Sequence, residues 1–202
     1  MKLKYQISLF VIITLLIINS SLATSYSLWI ITQSQTGTNL ISSGCFEIDY
    51  NEVTDSISLD NTYPLTDEVG KKQSPYTVTI TNTCTVAADY KFILNELNDN
   101  TLTNDKVKYY LTKDNLAEFG PDYYNTLTPY TMDEAIKSGI ETDKNVSIKN
   151  SYVLATGVLN PEASATYELR LWIPSEVSND DQDKTFDSIV SFEAYATKIQ
   201  SW

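Results

Sequence analysis

The chain has 202 residues, a formal net charge of −12 at pH 7, no histidine and two cysteines. So acidic a chain is repelled by phosphates and by anionic lipid, which argues against nucleic acid or an anionic membrane surface as a partner. Lack of histidine removes the commonest general base and the commonest transition-metal ligand, so zinc peptidase or other histidine-dependent hydrolase chemistry is not expected.

The first residues carry an export signal. Lys2 and Lys4 precede an apolar run from Ile7 to Ile18, which breaks at Asn19-Ser20-Ser21 and continues in small residues to Ser27. This is the pattern of a secretory signal peptide over residues 1–27, with cleavage after Ala23 or Ser27. An uncleaved anchor is the alternative, although the run is short of the roughly 20 residues that span a bilayer. Signal peptidase is then a partner during export, and the mature chain works in the extracellular space or on the cell surface. Residues 28–202 are read as one domain, long enough to bury a core.

Period-two alternation dominates the remainder, which points to strands half buried on one face. A first strand is predicted from Ser27 to Gln33, and a second from Cys45 to Tyr50 with Phe46, Ile48 and Tyr50 on one side. Further strands are expected over Thr54–Asp60, Tyr76–Cys84, Asp89–Leu97 and Lys106–Lys113. After Tyr152 come another strand, then Thr166–Pro174 and Phe186–Thr197. In Tyr76–Cys84 four threonines alternate with Tyr76, Val78, Ile80, Asn82 and Cys84. Residues at about 115–150 break the pattern and read as a partly helical insertion. Thr131 there is expected to cap a short helix through Ile136, with Glu134 as capping-box partner and Gly139 as the stop. Many short strands separated by turn residues favour an all-β antiparallel sandwich with a short helical insertion.

Chemistry-bearing patterns are sparse. There is no HExxH, GxSxG, P-loop or glycine-rich dinucleotide turn. Glu47 with Asp49, or Glu193, offers carboxylates of the type that cleave glycosides, but acidic residues on strands usually lie on solvated faces. Asp180, Asp181 and Asp183 form a candidate Ca²⁺ loop, hard oxygen donors without EF-hand spacing, and a polar turn explains them equally well. No other cofactor is expected. Cys45 and Cys84 form an even pair in an exported chain and suggest a disulfide, the alternative being two buried thiols. The bridge would close a loop of about 40 residues, worth roughly 4 kcal/mol on the chain-entropy model.

Several short motifs recur in a familiar order. Tyr26-Ser27-Leu28-Trp29 follows the signal, then Ser43-Gly44-Cys45-Phe46-Glu47-Ile48, then Ile80-Thr81-Asn82-Thr83. Near the end stand Leu169-Arg170-Leu171-Trp172-Ile173 and Lys184-Thr185-Phe186. This layout resembles the camelysin/TasA-like family of exported Gram-positive bacterial proteins, over about the first half and the last third of the chain. The resemblance implies a jelly-roll β-sandwich and a role as a subunit of extracellular biofilm-matrix fibres, with copies of itself or related matrix proteins as partners. It also implies an N-terminal donor strand, which maps onto Leu28, Trp29, Ile30 and Ile31, in the stretch Leu28 to Gln33. An ordinary first strand that pairs within its own domain is the other reading of that stretch. A surface module that binds glycan or protein through Tyr123, Tyr124 and Tyr130 is the competing function, and a secreted hydrolase the least supported.

Overall fold

The structure, a computed structural model, describes residues 31–34, 41–43, 46–50, 57–59, 63–178, 181 and 183–196. Its strands in chain order are β1 (Ile31–Ser34), β2 (Ile41–Ser43), β3 (Phe46–Tyr50), β4 (Ile57–Ser58), β5 (Tyr76–Asn82) and β6 (Ala88–Leu97). They continue as β7 (Lys108–Lys113), β8 (Leu116–Tyr123), β9 (Thr128–Tyr130), β10 (Ile148–Leu159), β11 (Ser164–Trp172) and β12 (Asp187–Ala196). Among the described residues two α-helices join them, the single turn α1 (Asp67–Gly70) and the longer α2 (Glu134–Lys144). The expected signal peptide lies outside the described residues, and no described helix is long and apolar enough to cross a membrane.

The strands form two six-stranded sheets. One runs β1-β12-β6-β10-β9, with β4 also beside β12, and the other β2-β3-β5-β11-β7-β8. Pairing within both is antiparallel. From β5 to β7, and again from β10 to β12, each strand crosses to the opposite sheet from the one before it. That interleaving, β12-β6-β10 against β5-β11-β7-β8, is jelly-roll order within an antiparallel β-sandwich.

Alternation explains the inner faces. In β5, Tyr76, Val78, Ile80 and Asn82 are buried while Thr77, Thr79 and Thr81 face outward. The outward hydroxyls pair with β11, Thr79 Oγ1 with Thr166 Oγ1 at 3.0 Å and Thr81 Oγ1 with Ser164 Oγ at 2.9 Å. Between the sheets Phe92 stacks on Phe192 at 4.4 Å, and Tyr167 meets Phe92 edge-on at 5.2 Å. Such ring pairs add about 0.5–1.5 kcal/mol each beyond the area they bury. Tyr90 and Tyr167, also in this core, share a 2.6 Å hydroxyl hydrogen bond.

The centre of the first sheet is covered on its outer face too. Ile93, Leu97 and Ile189 pack there with Met132, Ile140 and Ile148 in a second apolar cluster, so α2 lies against the sheet. This helix departs from the sequence expectation. Its N-cap is Asp133, not Thr131, and the Asp133 carboxylate accepts from Ala135 N at 2.9 Å and Ile136 N at 3.4 Å. It passes through Gly139 and ends at Asn145, which takes the left-handed conformation at φ 52°. A mid-helix glycine costs only about 1 kcal/mol, less than burial of Ile140 one residue later returns. The stretch 115–150 is also less of an insertion than expected, because β8, β9 and the start of β10 belong to the sheets. β8 shows no alternation because it is an edge strand with both faces largely exposed, and β9 is short and contains Pro129.

α1 covers the outer face of the second sheet. Gly70 sits so close to the Trp172 indole that an added Cβ would lie 2.4 Å from its Cδ2. Gly70→Ala is therefore expected to destabilise the fold by about 1–3 kcal/mol through overpacking, seen as a lower urea midpoint. An unchanged midpoint would refute this close packing.

Candidate functional site: an exchangeable edge strand and two buried carboxylates

β12 is held on one side by β6 along its whole length. Its other side is shared by two short strands, β4 at Asp187 and Ser188 and β1 from Ser191 to Ala194. β1 pairs Ile31 with Ala194, Thr32 with Glu193, Gln33 with Phe192 and Ser34 with Ser191. Among the described residues β12 is its only strand partner. Of the predicted assembly strand, Ile31 lies in β1, whereas Leu28, Trp29 and Ile30 lie outside the described residues. β1 thus completes a sheet edge whose own side chains, Val190, Phe192 and Ala194, are already buried in the core.

Opposite Thr32 stands a residue whose environment overturns its sequence reading. Glu193, expected on a solvated face, is 1% exposed. Its Oε2 accepts from Tyr130 Oη and Tyr195 Oη, both at 2.6 Å, and Lys91 Nζ stands 4.0 Å away. Lys91 also lies over the rings of Tyr130 and Tyr195, at 4.6 and 5.5 Å from their centroids. Alternation along β12 directs Glu193 outward, but the stretch from Tyr130 into α2 packs on that face, and Tyr130 at the end of β9 closes over the carboxylate. Glu193 Oε1 is buried with no hydrogen-bond partner among the described residues. Burial and the adjacent carboxylate raise both phenols, Tyr195 to about 12 and Tyr130 further. Glu47 and Asp49 occupy β3, and their side chains lie outside the described set.

Sequence reasoning missed a second buried acid, Glu96, which is 0% exposed. A β-bulge in β10 sets Ile148 opposite Leu97 and Asn150 opposite Glu96, which leaves Lys149 as the extra residue. Bulges re-aim side chains, and here both neighbours reach the carboxylate. Lys149 Nζ donates to Oε1 at 2.9 Å, and Asn150 Nδ2 to Oε2 at 3.0 Å. Asn104 Nδ2 adds a bond to Oε2 at 3.1 Å. Glu96 and Glu193 cannot act as a glycosidase pair. Glu96 shares the inner face with Leu94 and Phe92, Glu193 lies on the outer face opposite Lys91, and five residue steps of strand separate them, about 16 Å. Such pairs need a separation of roughly 5–9.5 Å on one site.

The other predicted sites disperse. Asp181 is buried, and its carboxylate is taken up by two ammonium groups, bonding to Lys106 and, at 2.5 Å, to Lys184. Those hydrogen bonds, Lys106 first, hold its pKa below the usual carboxylate range. Asp183 is exposed, Asp180 lies outside the described residues, and no group of three or more acidic or cysteine side chains among the described residues could hold a metal. The expected Ca²⁺ loop is thus an ion-paired turn as far as it is described. Tyr124 is a core residue, edge-on to Tyr152 and Phe186 at 5.2 and 5.0 Å. Tyr123 lies under Lys108 at 5.0 Å and Tyr130 bonds Glu193, so the three tyrosines do not form one surface. Beside β9 an open groove of about 370 Å³ is lined by Tyr130, Lys137, Lys149, Asn150 and Tyr152 among others. Cys84 is buried behind the end of β5, Cys45 lies outside the described residues, and no cysteine among the described residues is free.

No family model matches the chain, and no curated protein matches it. Among solved structures it is similar to that of "AvmM Catalyzes Macrocyclization in Alchivemycin A Biosynthesis", at 12% identity over 63% of this chain and 72% of that one, with a TM-score of 0.32. A likeness of that degree carries no functional argument.

The Glu193 cluster has a pH signature. Tyr195 titrates near 10.0 when unfolded and at about 12 when folded, so its protonated form contributes stability at every pH below 10.0. That contribution is lost as pH rises from 10.0 to about 12. The melting temperature is expected to fall through this window, and the Tyr130→Phe, Tyr195→Phe double variant to show a shallower fall. Equal slopes in parent and variant would contradict the assignment.

Proposed function

We propose that the chain is a secreted or cell-surface structural protein, a subunit of extracellular matrix fibres like those of the camelysin/TasA-like family it resembles, assembling by β-strand exchange. The observation that carries this reading is the position of β1. It is a four-residue edge strand with a single strand partner among the described residues, lying also beside α2, and it covers a β12 edge backed by an aromatic core. Such a strand can leave without dismantling the core, and the vacated edge can accept the same strand from a neighbouring copy. The stretch leading into it, Leu28 to Ile31, has high β-propensity and no proline. Export through the signal at residues 1–27 supplies the location.

Removal of Leu28 to Gln33 from the matured protein is expected to abolish fibres in negative-stain microscopy while leaving a sheet-rich monomer by circular dichroism. Fibres that persist unchanged would refute strand exchange by this segment.

We also propose a Cys45–Cys84 disulfide. Phe46 pairs with Asn82, Cys45 precedes Phe46, and Cys84 follows Asn82 by two residues, so the register brings the two segments together. The Cys84 amide is tied down by Asn82 Oδ1 at 3.0 Å. Non-reducing peptide mapping of exported protein should recover a Cys45–Cys84 linked peptide, and two alkylatable thiols would exclude the bond.

The groove beside β9 favours a second reading, a surface module for glycan or protein, because it combines aromatic, amide and ammonium groups in one concavity.

A further inference from the structure

The far side of the first sheet has an edge of a different kind. β10 pairs with β6 along its length, but β9 covers its other side only at Ser151–Val153. Among the described residues no strand pairs with 154–159 on that side. One group there is already engaged, the Leu159 carbonyl, which accepts from Asn82 Nδ2 at 2.9 Å. The sequence is Leu-Ala-Thr-Gly-Val-Leu, without charge or proline, and Val158 is 56% exposed. Native edges are normally guarded by charges, prolines or bulges. β8 carries Glu118, Pro121 and Asp122 together with register irregularities, and β9 carries Pro129. The β10 edge lacks such guards beyond its bulge near Leu154.

We propose that this edge pairs antiparallel with the same edge of a second copy, about a two-fold axis at Gly157, joining the two sheets into one. Two identical strands can pair antiparallel only if facing residues share a side of the sheet, so the axis must pass through a residue. At Gly157 it sets Thr156 opposite Val158 of the second copy, and reciprocally, a β-branched pair of the kind sheets favour. The neighbouring strand argues for a second copy as the occupant. On β6, Lys91 stands beside Thr156 and Asp89 beside Val158. Two-fold pairing at Gly157 therefore aligns each Lys91 row with the Asp89 row of the second copy. In a chain of net charge −12, the uncharged residues 154–159 thus meet their copy with no like charges on facing rows, Lys91 itself being held at Glu193. Gly157 itself cannot carry a side chain, since a Cβ would lie 2.5 Å from Tyr90 Oη. The contact is short, so the dimer is weak and concentration-dependent, and it is independent of the N-terminal strand.

The test uses two single-cysteine additions at exposed positions, Thr156→Cys and Val158→Cys, under mild oxidant. An equimolar mixture is expected to give a disulfide-linked dimer containing one chain of each, while either variant alone stays largely uncrosslinked. The same result is expected after deletion of Leu28 to Gln33, which separates this contact from strand exchange. Absence of the mixed dimer at high concentration would overturn the proposal. So would efficient cross-linking of Thr156→Cys with itself, which requires an axis at Thr156. Val158→Lys should abolish association of the deletion variant in sedimentation experiments, and a dimer that survives it would place the interface elsewhere.

Discussion

β6 and β12 pair residue for residue from Glu96 with Ser188 to Ala88 with Ala196, and both are covered on each side. Inward, Phe92 and Phe192 stack at the centre of the sandwich. Outward, Ile93 and Ile189 lie against residues from α2 and its flanks. An antiparallel sheet commonly leaves one face wet. Here the second apolar layer makes this strand pair the most enclosed part of the described chain. β10, β1 and β4 attach to its sides, β9 extends the sheet beyond β10, and the helix lies over it.

Enclosure on both faces has an electrostatic consequence. Polar residues on the outward positions of β6 and β12 are buried as well, and each needs a partner, since an unpaired buried polar group costs about 1–3 kcal/mol. Asn95 donates to Ser191 Oγ at 2.9 Å and accepts from Ser151 Oγ at 2.7 Å. Glu193 recruits two phenols. Glu96, on the inner face near the end of the sandwich, is served by a bulge that brings Lys149 and Asn150 to it. These contacts tie β9 and β10 to the β6–β12 pair.

The edges differ in character from this centre. β1 is short and singly paired, β8 is irregular and acidic, and residues 154–159 of β10, beyond β9, are uncharged and have no strand partner on that side among the described residues. A jelly roll has edges that a closed barrel lacks, and how each one is guarded decides how the molecule meets others. The proposed assembly modes both use backbone pairing at edges, which asks little of side-chain chemistry.

The sequence by itself determined the all-β class and most central strands, because alternation in Tyr76–Asn82, Ala88–Leu97, Ser164–Trp172 and Asp187–Ala196 reflects one inward face. Only the tertiary structure decided what lies on the other face. Glu193 alternates as a solvated residue and is buried, because Tyr130, distant in sequence, closes over it. Tyr124 reads as a loop aromatic and fills the core, and Asp181, which reads equally as a calcium ligand or as part of a polar turn, meets lysines from two segments. Periodicity is local and records which side of a strand is apolar. Burial of a polar side chain depends on which remote segment packs above it, and that is settled when the sheets and the helix close together.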